Sequence, residues 1–367
     1  MLRILADRQL AQVDQAFSSL GDVTLFDADS LGPETVRESD VLLVRSVTQV
    51  DAELLAGSSV RFVGTATSGT DHVDTAYLEQ EGIGFAHAGG SNAEAVVDYC
   101  LAAMASLYKP DTISTISVGI VGYGFVGSAL VRRLEAAGVT VRVCDPPLAE
   151  SGFQRQFLPL EALSSCDLVS LHVPLTSSGS YPTLNLIDSS FLSTMKENSV
   201  LLNSCRAGVV DEAALLGQSK RLRYVADVWL GEPNPNPHLV SLSILATPHI
   251  AGYSRRAKVS ATLMLSSELA EFLVAPEPPQ WMPPSEVILE CNNNCIDPWS
   301  VTTAALPLAQ LSSRFKLAVA AGQGAREFKK IREELLARRE FCELRPQKAS
   351  LTAADLHQLK ALGFLVS

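Results

Sequence analysis

The stretch Ile116–Asp145, ISVGIVGYGFVGSALVRRLEAAGVTVRVCD, carries the reading of the fold. It opens on an apolar run, Ile116–Val121, of the kind a strand covered on both faces requires. Gly122-x-Gly124-x-x-Gly127 follows at once, then a helical pattern over Val126–Ala137, then a second apolar run, Val139–Cys144. Asp145 ends that run, 18 residues past Gly127. Strand, glycine turn, helix, strand and terminal acid in this order predict a dinucleotide-binding βαβ unit. Gly122 permits the tight turn, Gly124 lets backbone approach a pyrophosphate, and Gly127 lets helix and strand pack closely. Phe125 and Val126 open the helix, whose free N–H groups and positive dipole end suit phosphate. Asp145 would accept hydrogen bonds from a ribose diol and repel a 2′-phosphate. Pro146 and Pro147 offer no cation for that phosphate, so the expected cofactor is NAD rather than NADP.

Outward from this unit, apolar runs recur at Leu168–His172, Val200–Asn203, Tyr224–Val228 and Ile244–Ala246, each separated by a helix-sized segment. They predict a doubly wound sheet of about six strands. Upstream, Leu2–Leu5, Val41–Val44 and Val60–Val63 alternate with polar helical patterns, the rhythm of parallel βαβ units. The fold class is therefore α/β, with two doubly wound parallel-sheet domains (Rossmann- or flavodoxin-like) and a small α+β C-terminal domain. The expected boundaries are a substrate-binding domain over 1–92, completed by about 254–275, and a nucleotide domain over 93–253. Residues 276–285 hold five prolines between 276 and 284 and form a semi-rigid linker. Residues 286–367 form the third region, with amphipathic helices at 325–341 and 351–362. Thr352 is the expected N-cap of the last helix and Gly363 its stop. So small a region is expected to pack on the rest of the chain or on a second copy.

Composition bounds the function. The 367 residues are 47% apolar and 19% charged, a composition for folded cores rather than disorder. Forty acidic against 29 basic residues give a net charge of −11, which argues against nucleic acid and anionic membranes as partners. No stretch approaches the roughly 18 uncharged apolar residues of a spanning helix. The N-terminus has no long apolar region, and Asp7 and Arg8 come early, unlike a signal peptide. The seven cysteines (100, 144, 166, 205, 291, 295 and 342) are scattered and odd in number, as expected of free thiols in a reducing cytoplasm. Cys291 and Cys295 lack the further ligands of a structural zinc site, so no metal is expected.

Three polar residues follow predicted strands of the nucleotide domain: Arg206 after 200–203, Glu232 after 224–228, His249 after 244–246. In a parallel sheet, successive carboxyl ends lie side by side at the ligand crevice. Oxidising a hydroxy acid removes a hydride and a hydroxyl proton. A histidine takes such a proton near neutrality. Glu232, bonded to His249, would fix its tautomer, and the planar fork of Arg206 suits a carboxylate. Taken singly, an Arg after a strand is commonly a solvated cap, Glu-Pro a turn and Thr-Pro-His a packed loop. Asp227 reads either as a plain strand-end acid or as a lining residue of the nicotinamide pocket. The histidines at 72, 87, 172, 238 and 357 read as structural or surface residues, with the backbone after His172 beside the cofactor cleft.

At these residues the chain resembles the D-isomer-specific 2-hydroxyacid dehydrogenases over nearly its whole length. Val44–Thr48 (VRSVT), Val63–Asp74 (VGTATSGTDHVD), Asn92–Val97 (NAEAVV) and Cys144–Pro147 (CDPP) are similar to the branch acting on a phosphorylated hydroxy acid, 4-phospho-D-erythronate, in vitamin B6 biosynthesis. The 325–341 segment resembles that branch's dimerisation region. The resemblance implies Arg206 and Glu232 in the active site and His249 as proton donor. It places Ser46, Thr67 and Tyr253 at the substrate, and Asp145, Val173, Asp227 and Gly252 at NAD. It also implies a homodimer formed through the C-terminal region. Arg45, with Ser46 and Thr67, is the expected holder of the substrate phosphate. Three departures stand out: Val173 where Thr is frequent, AGGSN at 88–92 for APGCN, and DRQ at 7–9 for DEN. The other readings kept open are a dehydrogenase of another hydroxy acid, such as 3-phosphoglycerate or hydroxypyruvate, and a non-catalytic NAD-sensing corepressor-like protein.

Overall fold

A computed structural model describes residues 1–280, 282, 286–290, 297–347 and 351–366. Cys291, Cys295 and positions 281 and 283–285 of the proline-rich segment lie outside the described residues. The chain forms two units, one of Met1–Asn92 with Arg255–Pro284, the other of Ala93–Ser254 with Ser285–Ser367.

The first unit is a five-stranded parallel sheet: β1 (Leu2–Asp7), β2 (Gly21–Phe26), β3 (Val41–Val44), β4 (Phe62–Thr65) and β5 (Gly84–His87), in the order β2-β1-β3-β4-β5. β3 and β4 are buried at every residue, the burial of strands covered on both faces. The helix Arg255–Phe272 returns to cover this sheet, with Val259, Leu263, Leu265 and Leu269 in its core. The strand order reverses between β1 and β3, so their carboxyl ends bound the crevice in which open α/β sheets bind ligands.

The second unit holds a six-stranded sheet: β6 (Ser117–Val121), β7 (Thr140–Cys144), β8 (Leu168–Leu171), β9 (Val200–Asn203), β10 (Arg223–Ala226) and β11 (Leu245–Ala246). The order is β11-β10-β9-β8-β6-β7, all parallel. Its reversal falls between β6 and β8. The expected sheet of about six strands is present, and the helix after the glycine turn spans Phe125–Ala136.

The C-terminal segment packs on the rest of the chain, one of the two arrangements expected of so small a region, but its helices differ from the sequence reading. Trp299, Phe315, Phe328, Phe341, Leu359 and Leu362 join the same apolar core as the six-stranded sheet, so 286–367 has no separate core. Among its described residues are four α-helices, Pro298–Ala305, Leu308–Ala320, Gly324–Glu334 and Ala353–Ala361, where two were expected. The helix expected over 325–341 stops at Glu334, with a 3₁₀ turn to Ala337. Beyond that stop, Arg338 and Glu340 are buried polar residues. Strands β12 (Val287–Leu289) and β13 (Leu344–Pro346) pair in parallel. Thr352 caps the last helix by a reciprocal capping box, and Gly363 takes φ +98° beyond it.

The helix Ala93–Leu107 explains the shared core. It is buried without a break from Ala95 to Met104, a helix apolar nearly all round. Such a helix must be covered on every side, and the C-terminal segment supplies part of that cover. Asp98 lies within it, fully buried, paired to Arg133 at 2.7 Å and accepting from Phe341 N–H at 2.8 Å. Arg133 also pairs with Glu94 and donates to Leu362 O at 3.0 Å. A Cβ at Gly363 would stand 2.5 Å from that guanidinium, so the chain passes there only as glycine.

Candidate active site

The reversal between β6 and β8 places the glycine turn against His172–Val173. Gly122 has φ +93°, and a Cβ there would lie 2.5 Å from His172 O and 2.9 Å from Val173 Cγ1. A Cβ on Gly127 would meet Gly122 O at 2.0 Å. These two glycines are therefore needed by the fold itself. Gly124 differs: its Cβ would meet nothing within 4 Å. The open space lies at the start of the Phe125–Ala136 helix, where no side chain caps the end. This is the place for a phosphate to reach backbone N–H groups.

Asp145 follows β7 and accepts from Tyr123 N–H at 2.7 Å and Leu148 N–H at 3.0 Å. Both bonds aim the carboxylate while leaving lone pairs for a ribose diol. Arg155, which the sequence reading passed over, stacks on the Tyr123 ring 5.0 Å from its centroid and pairs with Glu135 at 2.6 Å. The residues present thus fit a dinucleotide. His172 bonds Ser170 Oγ at 2.9 Å, and burial drives its imidazole down to about 3, so it stays neutral.

At the carboxyl edge of the same sheet, β9, β10 and β11 end beside one another at Asn203, Ala226 and Ala246. His249 Nδ1 and Glu232 Oε2 are 2.8 Å apart, the pair the sequence spacing anticipates. The imidazole side chain is 38% exposed and the carboxylate 23%, so the ring has one anchored nitrogen and one open edge. Glu232 Oε1 accepts from Trp229 N–H at 2.9 Å. Burial opposes ionisation of Glu232, but its hydrogen bond to His249 and the imidazolium charge outweigh it and hold the carboxyl below the usual range.

Arg206 leaves β9 through a turn held by the buried Asn203, whose Oδ1 accepts from Cys205 N–H and whose Nδ2 donates to Arg206 O at 2.9 Å. Arg206 Nη1 donates to Cys205 O at 2.9 Å. Asp227 is fully buried and accepts from Thr247 Oγ1 at 2.7 Å and from the N–H groups of Ile250 and Ala251, both at 2.8 Å. Burial pushes its carboxyl up, against these three donors. Asp227 is thus engaged with the His249 loop rather than standing as a plain strand-end acid. Gly252 and Tyr253 close that loop. The Arg332 guanidinium lies 4.5 Å from the centroid of the Tyr253 ring and bonds its hydroxyl. Asn203 and Trp229 stand at expected strand ends but were given no role from the sequence, and nothing in the sequence spacing connects Arg332 to them.

The first unit gathers its own polar cluster at the β1/β3 reversal. Arg45 Nε pairs with Asp7 Oδ2 at 2.9 Å, and Asp7 is 1% exposed. Ser46 is exposed, while Thr48 is buried and its hydroxyl has no hydrogen-bond partner among the described residues. Thr67 Oγ1 donates to Gly69 O at 2.7 Å and lies 2.9 Å from Thr65 Oγ1, which bonds His72 Nε2 at 2.8 Å. His72, read from the sequence as a structural or surface residue, belongs to the network behind Thr67.

Residues 102–251 match the family model of the D-isomer specific 2-hydroxyacid dehydrogenase NAD binding domain. The glycine turn and the His–Glu edge thus lie in an NAD-dependent dehydrogenase of that class, and NAD is its cofactor. A 3-phosphoglycerate dehydrogenase of Entamoeba histolytica superposes with a TM-score of 0.64 at 21% identity, covering 77% of this chain and 100% of that one. Two relatives run the full length. The erythronate-4-phosphate dehydrogenase of Chromohalobacter salexigens is 38% identical, covering 100% of this chain and 99% of that protein. The enzyme of the same name from Marinobacter nauticus is 37% identical, covering 98% of each. The chain belongs to the erythronate-4-phosphate dehydrogenase family of the D-isomer-specific 2-hydroxyacid dehydrogenases.

Proposed function

We propose that this chain oxidises 4-phospho-D-erythronate at C2 to (R)-3-hydroxy-2-oxo-4-phosphobutanoate, a step of vitamin B6 biosynthesis, acting in the cytoplasm as a homodimer. The observation that carries the chemistry is the 2.8 Å bond between His249 and Glu232 at the carboxyl edge of a nucleotide-binding sheet. NAD, when bound, accepts the hydride that leaves C2. His249 Nε2 takes the hydroxyl proton as the carbonyl forms, because Glu232 holds Nδ1 as the protonated nitrogen. Glu232 stabilises the imidazolium that results. Arg206 holds the substrate carboxylate and polarises the developing carbonyl oxygen. Gly122, Gly124, Phe125, Val126, Gly127, Asp145, Val173, Asp227 and Gly252 serve NAD, and Tyr253 serves the substrate.

The phosphate is assigned to Arg45, Ser46 and Thr67. Arg45 already neutralises Asp7, so the hydroxyls share the anion with it; the unpartnered Thr48 hydroxyl is a further donor. Full-length relatives named for one activity leave the other-substrate and corepressor readings without a specific observation in their favour. The test follows NADH formation on 4-phospho-D-erythronate, D-3-phosphoglycerate and D-glycerate. Arg45→Ala should raise KM for the first by about tenfold or more, the value of one charge-assisted contact. An unchanged KM removes Arg45 from the phosphate site. Turnover of D-3-phosphoglycerate alone overturns the substrate, and no turnover with NADH binding intact favours a binder.

A further inference from the structure

We propose that Arg338, in the C-terminal segment, is a positioning residue that holds the His249 loop in its working geometry. The inference rests on the reading of His249 as the proton-transfer group. Arg338 is 7% exposed. Its Nη1 donates to Ile250 O at 3.3 Å and Ala251 O at 3.2 Å, and its Nη2 donates to Ala95 O at 2.6 Å. On the opposite edge of these same residues, Asp227 accepts from Ile250 and Ala251 N–H, and its own carbonyl accepts from His249 N–H at 2.7 Å. A buried cation and a buried anion thus grip the two residues after His249, one by the carbonyls and the other by the amides.

The grip answers a local difficulty. His249 has φ +55°, a left-handed backbone that side chains other than glycine rarely adopt. Such a conformation persists where its surroundings over-determine it. Ser254, five residues on, donates to Glu340 at 2.6 Å, so the segment around Arg338 fastens the loop at its far end too. Only a guanidinium offers donors in a rigid fork able to span two successive carbonyls and a third from Ala95. Its charge is answered by Asp98, Glu340 and Asp227, all buried. The Asp98 tie to Phe341 already anchors the segment, so the contacts to 250 and 251 do more than fasten it.

The test uses the full chain with Arg338→Ala, Arg338→Lys and His249→Gln. Unfolding, NADH binding by fluorescence, and kcat and KM for 4-phospho-D-erythronate are measured on each. The Arg338 variants should unfold cooperatively and keep NADH affinity and substrate KM within about threefold, while kcat falls about 30-fold or more, since small misplacements cost that much. Millimolar guanidinium ion should restore part of kcat in Arg338→Ala and none in His249→Gln. A folded Arg338→Ala with kcat within about twofold of the parent overturns the proposal. So does loss of folding in both Arg338 variants, which marks a purely structural arginine, and so does loss of NADH binding in folded variants, which places Arg338 behind the cofactor rather than behind His249. Parental kcat in His249→Gln overturns the functional reading itself, separately from any Arg338 result.

Discussion

Glu232 joins stability to the chemistry proposed above. It accepts from His249 and from Trp229 N–H, and its carboxyl is held below the usual range. A carboxylate depressed in the folded state stabilises it above the unfolded value, and that stability is lost as pH falls through the folded value. Glu232→Gln should therefore be less stable than the parent near neutrality, by about 1–2 kcal/mol for a lost charge-assisted bond. The gap should narrow below about pH 4, near the unfolded glutamate value. Chemical denaturation at several pH values checks the sign, and an unchanging gap contradicts it. The same variant should lower kcat by about 10²-fold or more, because the imidazole loses its tautomer-fixing anion. His249 and Glu232 were legible as strand-end residues. Their pairing was legible too, since neighbouring strands of a parallel sheet end side by side; the left-handed backbone at His249, φ +55°, was not.

The glycine turn separates what a fold needs from what a ligand needs. Gly127→Ala places a methyl 2.0 Å from Gly122 O, a clash the backbone can relieve only by moving the helix off the strand. The expected loss is about 3 kcal/mol, at the upper end for overpacking. Gly124→Ala meets nothing within 4 Å and has φ −73°, so its stability should stay within about 0.5 kcal/mol of the parent. Its NADH affinity should nevertheless fall, because the methyl occupies the backbone approach to the pyrophosphate. Thermal unfolding beside fluorescence titration distinguishes the two glycines, and equal NADH affinity in Gly124→Ala and parent contradicts the assignment. Here the sequence sufficed, since a turn of this kind is written in residues a few positions apart. The end of the Gly324–Glu334 helix was not legible. Residues 325–341 keep an amphipathic pattern, and only the buried partners of Arg338, which donates to backbone carbonyls, and of Glu340, which accepts from Ser254, break it.

The C-terminal segment changes what a truncation means. Its aromatic residues lie in the core of the six-stranded sheet's unit, so deleting 286–367 uncovers the Ala93–Leu107 helix and leaves Asp98 without Phe341 N–H. The truncated chain should fail to unfold cooperatively and should bind no NADH, whatever its oligomeric state. Phe315→Ala, at a fully buried ring, should cost about 3–5 kcal/mol in the full chain. A truncated chain that melts cooperatively and binds NADH contradicts the shared core. Light scattering of the intact chain across concentrations tests the proposed dimer. The parallel βαβ rhythm, the dinucleotide turn, the acid that ends its second strand and the three strand-end residues could all be read from the chain alone. Each depends on neighbours within a strand, a turn or a helix face. The Asp7–Arg45 pair, the Asp227 and Arg338 grip on the His249 loop, and the choice of the nucleotide unit as the body on which the C-terminal segment packs could not. They join buried charges to partners as much as 243 residues away, and no local periodicity records which carbonyl a buried guanidinium will find.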